Sequence, residues 1–190
     1  MRCKSITNIT KLPIKMNYCS NCASEVVFIT IENDHLPRFV CESCEIVHYQ
    51  NPRVIVGCIP VWEDKVLLCR RGIEPQLGFW NLPGGFLENG ENVEDGAARE
   101  ALEEAGLQLK IENLQSVYTV SSANQVHLHF LATILAPNWH LTLESTEIQL
   151  FSEAEIPWNE VAFQSNVFAL KSYLSDKKEQ TRRTHLGAYS

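Results

Sequence analysis

The sequence predicts an α+β protein, in which a small cysteine-rich β module precedes a larger domain that combines a sheet with helices. Three observations carry this prediction. Four cysteines stand in two C-x2-C pairs near the start of the chain. Apolar, β-branched runs of strand length recur through the rest of the sequence. Two segments, residues 93–105 and 161–174, carry apolar residues at helical spacing and predict helices.

The bulk composition limits the classes of protein that the chain can belong to. Its 190 residues and 45% hydrophobic content fit one ordinary domain plus a small module. The formal net charge of −7 argues against a nucleic-acid-binding surface, because such surfaces are usually basic. We therefore expect no nucleic-acid partner. No apolar run of about 18 residues occurs, so no membrane-spanning segment is predicted.

The seven cysteines do not indicate a disulfide framework, because four of them have the spacing of metal ligands. Cys58 and Cys69 lie in apolar runs and are predicted to be buried thiols. Free thiols indicate a reducing compartment, so we expect a cytoplasmic protein.

The chain divides by composition into four parts. Residues 1–17 are a basic leader, predicted to be disordered, although a short transit segment or a start at Met16 would also fit. Residues 18–49 form the cysteine-rich module, and residues 50–176 form the main domain. Residues 177–190 are polar and charged and are expected to fray.

The first module is predicted to be a zinc ribbon. Cys19 and Cys22 are separated by 18 residues from Cys41 and Cys44, within the spacing of about 15–20 that is typical of a four-cysteine zinc site. Four thiolates leave Zn²⁺ no open position, so the metal would be structural. Few basic residues accompany the ribbon, which favours an accessory or dimer-forming role over nucleic-acid binding. A homodimer is therefore a possible assembly.

The main domain begins with a predicted hairpin, residues 54–62 and 65–70, joined by a turn at Glu63 and Asp64. Residues 108–120 and 126–135 are predicted to be two further strands. In the second of these, His127 and His129 share a face. Packing is the favoured interpretation of this pair, and metal ligation is the alternative.

The most acidic stretch, residues 85–107, carries seven of the 23 acidic residues. Its second half is the predicted helix, which ends before Gly106. Glu100, Glu103 and Glu104 fall on one face of this helix, since residues three and four apart are neighbours. Like charges so close cost on the order of 0.2–0.5 kcal/mol for each pair.

Two interpretations of this acidic face are open. It could be an exposed, solvated surface, or it could bind a divalent cation. The preceding Pro83, Gly84 and Gly85 favour the second, because glycines let the backbone come close to the carboxylates. Carbonyl and carboxylate oxygens suit Mg²⁺ or Mn²⁺, and Mg²⁺ usually binds together with substrate phosphates. This stretch therefore predicts a divalent-metal phosphate site.

The same residues resemble the signature of the Nudix hydrolases, G-x5-E-x7-R-E-U-x-E-E-x-G-U, where U is a bulky aliphatic residue. The positions that match are Gly85, Glu91, Arg99, Glu100, Glu103, Glu104, Gly106 and Leu107. Ala101 departs from the pattern at the first U. The resemblance implies an α/β/α sandwich with a mixed sheet and hydrolysis of a nucleoside diphosphate linked to another group, with Mg²⁺ or Mn²⁺ as cofactor.

The resemblance also implies roles for individual residues. Glu100, Glu104 and the Gly85 carbonyl would bind metal, Glu103 would bind metal or act as the base, and Glu91 and Arg99 would form a structural ion pair. A further carboxylate from a later loop often reaches the metals in this family. Glu144 and Glu147 are the candidates here. Glu144 is preferred as a ligand or general base, because its spacing from Leu150 and Phe151 resembles that of the metal-binding Glu before an apolar-aromatic pair in zinc-ribbon relatives. Arg70 and Arg71 would meet substrate phosphate, although surface ion pairs are equally compatible.

The combination of a four-cysteine ribbon with such a domain resembles two groups of Nudix enzymes. One is the NADH pyrophosphatases, whose downstream S-Q-P-W-P-F-P-x-S array is missing here. The other is the ADP-ribose/FAD pyrophosphatase group related to a plant chloroplast enzyme, and it is favoured by runs that include residues 49–52, 65–69 and 79–83. This resemblance implies cleavage of ADP-ribose or FAD to AMP and a phosphorylated fragment. A non-catalytic nucleotide sensor is the alternative from another class.

Overall fold

The computed structural model describes residues 15–189, so the predicted leader up to residue 14 lies outside the described residues. The chain divides into two compact units between Asn51 and Pro52. No helix within residues 15–189 is long and apolar enough to cross a membrane.

The first unit is a three-stranded antiparallel sheet. Its strands are β1 (Val27–Thr30), β2 (Pro37–Val40) and β3 (Val47–His48), in the order β1-β2-β3. Asn33 turns the β1–β2 hairpin with a φ of 66°, a conformation that asparagine adopts more readily than most residues. Few apolar side chains are buried in this unit, chiefly Phe39 beside Cys19 and Cys41. A ribbon of this size therefore depends on its cysteines.

The second unit is built on an eight-stranded mixed sheet with two helices. The elements in chain order are β4 (Arg53–Trp62), β5 (Lys65–Arg71), β6 (Trp80–Asn81), β7 (Gly84–Phe86), α1 (Val93–Ala105), β8 (Leu109–Val120), β9 (Gln125–Ile134), β10 (Ser145–Phe151), α2 (Gln164–Glu179) and β11 (His185–Tyr189). The main path of the sheet is β10-β5-β4-β9-β8-β11, with β6 beside β5 and β7 beside β4. The β4–β9 and β8–β11 pairs are parallel and the other pairs are antiparallel.

Alternation along the strands gives the sheet two apolar faces. Cys58 on β4 packs in a core with Ala101 of α1, whereas the next residue, Ile59, packs in a second core with Leu170 of α2. The two helices therefore cover opposite faces, because successive strand side chains point to opposite sides. This is the predicted α+β sandwich with a mixed sheet. Cys58 and Cys69 are buried, as predicted.

The closing helix begins three residues later than the periodicity of residues 161–174 predicts. Val161 forms a parallel bridge with Trp80, and the Ala162 N–H donates to the Trp80 carbonyl at 2.7 Å. These residues are therefore extended, and α2 starts after Phe163, whose φ is 61°. Pairing with β6 has overridden the local helical pattern.

The expectation that residues 177–190 fray is wrong for the part that the structure describes. The helix α2 continues to Glu179, with Lys177 and Lys178 in its last turn, where positive charge is favourable. After a short connection, β11 pairs with residues 116–120 of β8. The edge of β8 offers unpaired backbone groups, and this pairing satisfies them.

Candidate active site

The acidic face lies on α1, between a buried apolar face and a cleft. Ala97, Ala101 and Ala105 are fully buried against the sheet, where small side chains let the helix come close to the strands. The helix ends at Gly106, whose φ of 65° lets its N–H and that of Leu107 bond to carbonyls of the last turn. The Ala101 position, where the chain departs from the signature, is therefore a packing position.

Arg99 connects the acidic face to the preceding loop. Its guanidinium donates to both oxygens of Glu91 at 2.9 and 3.1 Å, and to the Phe86 carbonyl at 3.0 Å. This ion pair holds the pKa of Glu91 at about 2. Arg99 also donates to Glu100 at 2.8 Å and to Glu103 at 2.9 Å. One cation thus offsets three carboxylates and fixes the loop against α1.

The Gly85 backbone lies directly against the Glu100 carboxylate. A Cβ built at Gly85 would stand 2.5 Å from either oxygen of Glu100, which is far inside van der Waals contact. Only glycine permits this approach. The Gly85 carbonyl and the Glu100 carboxylate are both oxygen donors of the kind that a hard cation takes.

Glu144 reaches the same cleft from the loop before β10. The Thr142 hydroxyl donates to the Glu104 carbonyl at 2.9 Å and accepts the Glu144 N–H at 3.3 Å. This hydroxyl ties the loop to the end of α1. The other loop candidate, Glu147, lies away from the cleft and pairs with Arg70 at 3.2 Å.

The carboxylates line an acidic compartment of about 440 Å³. Its walls include Glu100, Glu103, Glu104 and Glu144. Glu104 is only 7% exposed. Burial, and then the charges of Glu100 and Glu144, raise its pKa to about 8, against the opposing effects of Arg71 and the Gly84 N–H.

This arrangement fits a divalent cation that takes oxygen ligands. Buried like charges destabilise one another unless a cation offsets them, and Arg99 reaches Glu100 and Glu103 but forms no ion pair with Glu104. Among residues 15–189, the glutamates do not bring three ligand oxygens within 4.8 Å of one another. A cation at this site would therefore also use backbone or substrate oxygens, as Mg²⁺ usually does.

An apolar compartment of about 520 Å³ adjoins the acidic one. Aromatic side chains line it: Phe86, Tyr118, Phe163 and Tyr189. The two compartments share six lining residues, namely Arg71, Pro75, Asn81, Gly84, Gly85 and Phe86. They are therefore two parts of one cleft, one apolar and one acidic.

Arg70 and Arg71, which are adjacent in the sequence, lie in different surroundings. Arg71 lines both compartments and stacks over the Phe163 ring at 5.0 Å, with its Nε donating to the Pro75 carbonyl at 2.8 Å. Arg70 lines neither compartment. It forms an ion pair with Glu147 and stacks over Trp80, which is itself buried in the core.

A buried polar network forms part of the wall of the apolar compartment, which His129, Asn166 and Asn81 line. Ser116 Oγ lies 3.4 Å from His129 Nδ1, and His129 Nε2 lies 3.0 Å from Asn166 Oδ1. Asn166 in turn donates to Asn81 at 2.8 Å. Burial lowers the pKa of His129 to about 4, so the ring is neutral near pH 7. His129 is therefore a buried, hydrogen-bonded residue, in agreement with the packing role predicted for it.

The first unit carries a separate cluster of four cysteines that could hold a metal ion. The sulfur atoms of Cys19, Cys22, Cys41 and Cys44 all lie within 4.8 Å of one another. Hydrogen bonds from Ser24 and the neighbouring cysteines lower the pKa of the Cys22 thiol to about 6. In Cys44 the backbone hydrogen bond with Ile46 is outweighed by burial and by hydrogen bonds to the other cysteines, which raise its pKa to about 11. A bound metal ion would favour the thiolate form of all four. Four thiol ligands with no open position suit structural Zn²⁺.

Sequence reasoning did not find the apolar compartment. Its aromatic residues come from β7, β8, β11 and the segment before α2, and no local spacing connects them. Tyr189 lies in the segment that was expected to fray. Phe163 has a positive φ, which is rare for an aromatic residue. Nothing in the local sequence predicts this conformation.

Comparison with known families decides where the chain belongs. The NUDIX domain matches residues 51–176, and the Nudix N-terminal zinc-ribbon family matches residues 17–50. The chain belongs to the Nudix family. The crystal structure of a Nudix hydrolase from Nitrosomonas europaea is 46% identical and superposes with a TM-score of 0.88, covering 92% of this chain and 99% of that one.

Two of the similar proteins have names that indicate different substrates. An ADP-ribose pyrophosphatase of Methanocaldococcus jannaschii is 44% identical over 71 residues, which is 37% of this chain. The NAD-capped RNA hydrolase NudC of Photobacterium profundum is 28% identical over 128 residues, or 66% of this chain. The chain spans only 42% and 46%, respectively, of the lengths of these two Nudix proteins.

Proposed function

We propose that this Nudix protein hydrolyses the pyrophosphate bond of a nucleoside diphosphate derivative with Mg²⁺ or Mn²⁺, with ADP-ribose as the first candidate substrate and FAD as the second. One observation carries the proposal: an apolar compartment adjoins an acidic one and shares a wall with it. A nucleoside would occupy the apolar part, and its diphosphate would extend past Gly85 to the carboxylates.

The metal-binding residues would be Glu100, Glu104 and the Gly85 carbonyl, with Glu103 and Glu144 as further ligands. Bound divalent ions stabilise the negative charge that develops on the pyrophosphate oxygens during hydrolysis. Arg71, at the junction of the compartments, is placed to hold a phosphate, which a guanidinium does with good geometry.

The proton from the attacking water requires a base. Glu103, with a side chain 59% exposed, and Glu144, on the loop, are accessible enough for this role. Arg99 holds Glu103 at 2.9 Å and fixes its position on α1. The nearly buried Glu104 serves as a metal ligand in this scheme and not as the base.

ADP-ribose is the first candidate because the archaeal relative named for that activity shares 44% identity, although over part of its length. FAD rests on the resemblance to the group related to the chloroplast enzyme. NADH is the alternative substrate, supported by a mouse NAD(P)H pyrophosphatase that is 34% identical over 113 residues. The NudC relatives, which are named NAD-capped RNA hydrolases, add an NAD-capped RNA to the candidates. The missing S-Q-P-W-P-F-P-x-S array weighs against NADH.

Product analysis by chromatography separates these candidates. The full chain is incubated with Mg²⁺ or Mn²⁺ and with ADP-ribose, FAD, NADH, an NAD-capped RNA or 8-oxo-dGTP. We expect AMP and ribose phosphate from ADP-ribose at the highest kcat/KM. Faster release of reduced nicotinamide mononucleotide, or of decapped RNA, would assign the protein to the NudC-like activity. No cleavage of any substrate, together with tight binding of ADP-ribose, would favour a nucleotide sensor.

A further inference from the structure

The C-terminal strand β11 lies at the edge of the sheet beside the apolar compartment. Its last described residue, Tyr189, lines that compartment and pairs in register with Val120, which lines it too. Gly187 pairs with Tyr118, another lining residue. The segment that the sequence suggested would fray therefore contributes directly to the cleft.

The buried carboxylate of Asp176, near the end of α2, anchors this strand. Asp176 is 3% exposed. It accepts hydrogen bonds from Thr181 at 3.0 Å and from the Arg183 backbone and guanidinium at 3.3 Å, and His185 Nε2 lies 3.0 Å away. Gln115, on β8, donates to it at 2.9 Å. A single side chain thus joins the helix, the partner strand and the connection into β11.

Close packing connects the anchored strand to the wall of the compartment. A Cβ built on Gly187 would stand 2.7 Å from the Tyr118 ring and 2.8 Å from the Phe168 ring. These two rings contact each other with centroids 5.1 Å apart. The backbone of β11 therefore lies directly on Tyr118 and helps to fix the position of its ring.

The rest of β11 is poorly held. Leu186 is 79% exposed and Tyr189 is 56% exposed. The supports of the strand are its ladder with β8, the contacts of Asp176, the hydrogen bond from the Thr184 hydroxyl to the Leu114 carbonyl, and the packing of Gly187 on Tyr118 and Phe168. Segments with few buried contacts open locally at low free-energy cost, so the presence of this wall depends on the anchor.

We propose that β11 is a wall of the nucleoside-binding compartment and that Asp176 is a positioning residue that holds it there. The ligand is the aromatic base of a nucleoside monophosphate or diphosphate, which would pack on Tyr189 and Tyr118. This inference rests on the proposed function for the identity of the ligand. It goes further because it makes β11, a segment outside the acidic compartment, contribute to substrate affinity.

Steady-state kinetics on ADP-ribose test the proposal. Tyr189→Ala should raise KM at least about fivefold, because the ring that stacks on the base is lost. Asp176→Asn should raise KM to a similar extent, because the strand that carries Tyr189 loses its anchor. The value of kcat should stay within about twofold, since the metal site is untouched. Leu186→Ala, on the same strand but on the exposed face, is the matched control and should behave as the wild type. Unchanged KM in both test variants would overturn the proposal.

Hydrogen exchange gives a readout that does not depend on turnover. Addition of AMP should slow exchange of the backbone amides of β11 in the wild type and in Glu104→Gln, and the effect should be lost in Asp176→Asn. If the wild type cleaves ADP-ribose but AMP leaves these amides unprotected, the inference fails and the proposed function stands. If AMP protects them and no substrate is cleaved, the proposed function fails and the nucleotide-binding wall stands.

Discussion

Glu104 differs from the other acidic residues of α1 in its surroundings. It is almost fully buried, close enough to Glu100 and Glu144 for their charges to raise its pKa, and forms no ion pair with any residue in the described range 15–189. Glu103, one residue earlier, is largely exposed and paired with Arg99. The environment therefore marks Glu104 as the carboxylate that most requires a bound cation.

Substitution of Glu104 by Gln tests this assignment. The change keeps the size of the side chain but removes a charged metal ligand, so we expect kcat for pyrophosphate cleavage to fall at least about 100-fold. The folded state should be retained, because the substitution also removes a buried repulsion. Steady-state kinetics and thermal unfolding measure the two effects. Glu94→Gln, in the exposed first turn of the same helix, is the control; wild-type turnover in Glu104→Gln would contradict the assignment.

The contact between Gly85 and Glu100 leads to a second substitution. In Gly85→Ala the new methyl group must displace the Glu100 carboxylate, which is a flexible side chain and can move at little cost to folding. We expect the melting temperature to change little, while the concentration of Mg²⁺ needed for half-maximal activity rises about tenfold or more. A Mg²⁺ requirement equal to that of the wild type would show that this contact does not shape the metal site.

At the scale of elements, the zinc ribbon is the part of the chain with the smallest core. Its fold should depend on the metal, since a few buried side chains cannot offset the conformational entropy of ordering the chain. We expect about one Zn²⁺ per purified chain by elemental analysis, and loss of that zinc in Cys41→Ser. Cys58→Ala removes a cysteine outside the cluster and should keep the full zinc content. Full zinc content in Cys41→Ser would place the metal elsewhere.

The elements that the sequence predicts well are those with strong local patterns. The β4–β5 hairpin and α1 lie within a few residues of their predicted bounds, because alternation, turn residues and the terminal Gly106 act locally. The start of α2 and the whole of β11 could not be predicted, because tertiary partners decide them. Val161 is extended because it pairs with Trp80. The strand β11 forms because it pairs with β8 and because Asp176 holds the segment that leads into it.

The site residues likewise differ in how well the sequence predicts them. The glutamates of α1 are predictable, because helical spacing alone places them on one face. Arg70 and Arg71 are neighbours in sequence, yet only Arg71 reaches the cleft, since successive residues of a strand point to opposite sides. The apolar compartment depends on side chains that converge from four parts of the fold, so its residues appear only in three dimensions.

At the scale of the whole domain, the network of Ser116, His129, Asn166 and Asn81 joins β8, β9, α2 and β6 at the wall of the apolar compartment. These elements surround the cleft from several sides. Protonation of the buried imidazole would place a charge inside the domain with no acidic partner in the network. The stability of the domain should therefore respond to the titration of this histidine.

The pKa of His129 is about 4 in the folded protein, against an ordinary value of 6.5. Between these values the unfolded chain binds more protons than the folded one, so the free energy of unfolding falls as pH is lowered from about 6.5 to about 4. The contribution of this one group is on the order of 3 kcal/mol.

His129→Gln cannot titrate but retains groups that can hydrogen-bond to Asn166. Urea unfolding at several pH values should thus show a weaker loss of stability at acid pH in this variant, whereas His35→Gln, an exposed residue of the ribbon, should follow the wild type. Parallel curves for the wild type and His129→Gln would show that His129 is not the group responsible.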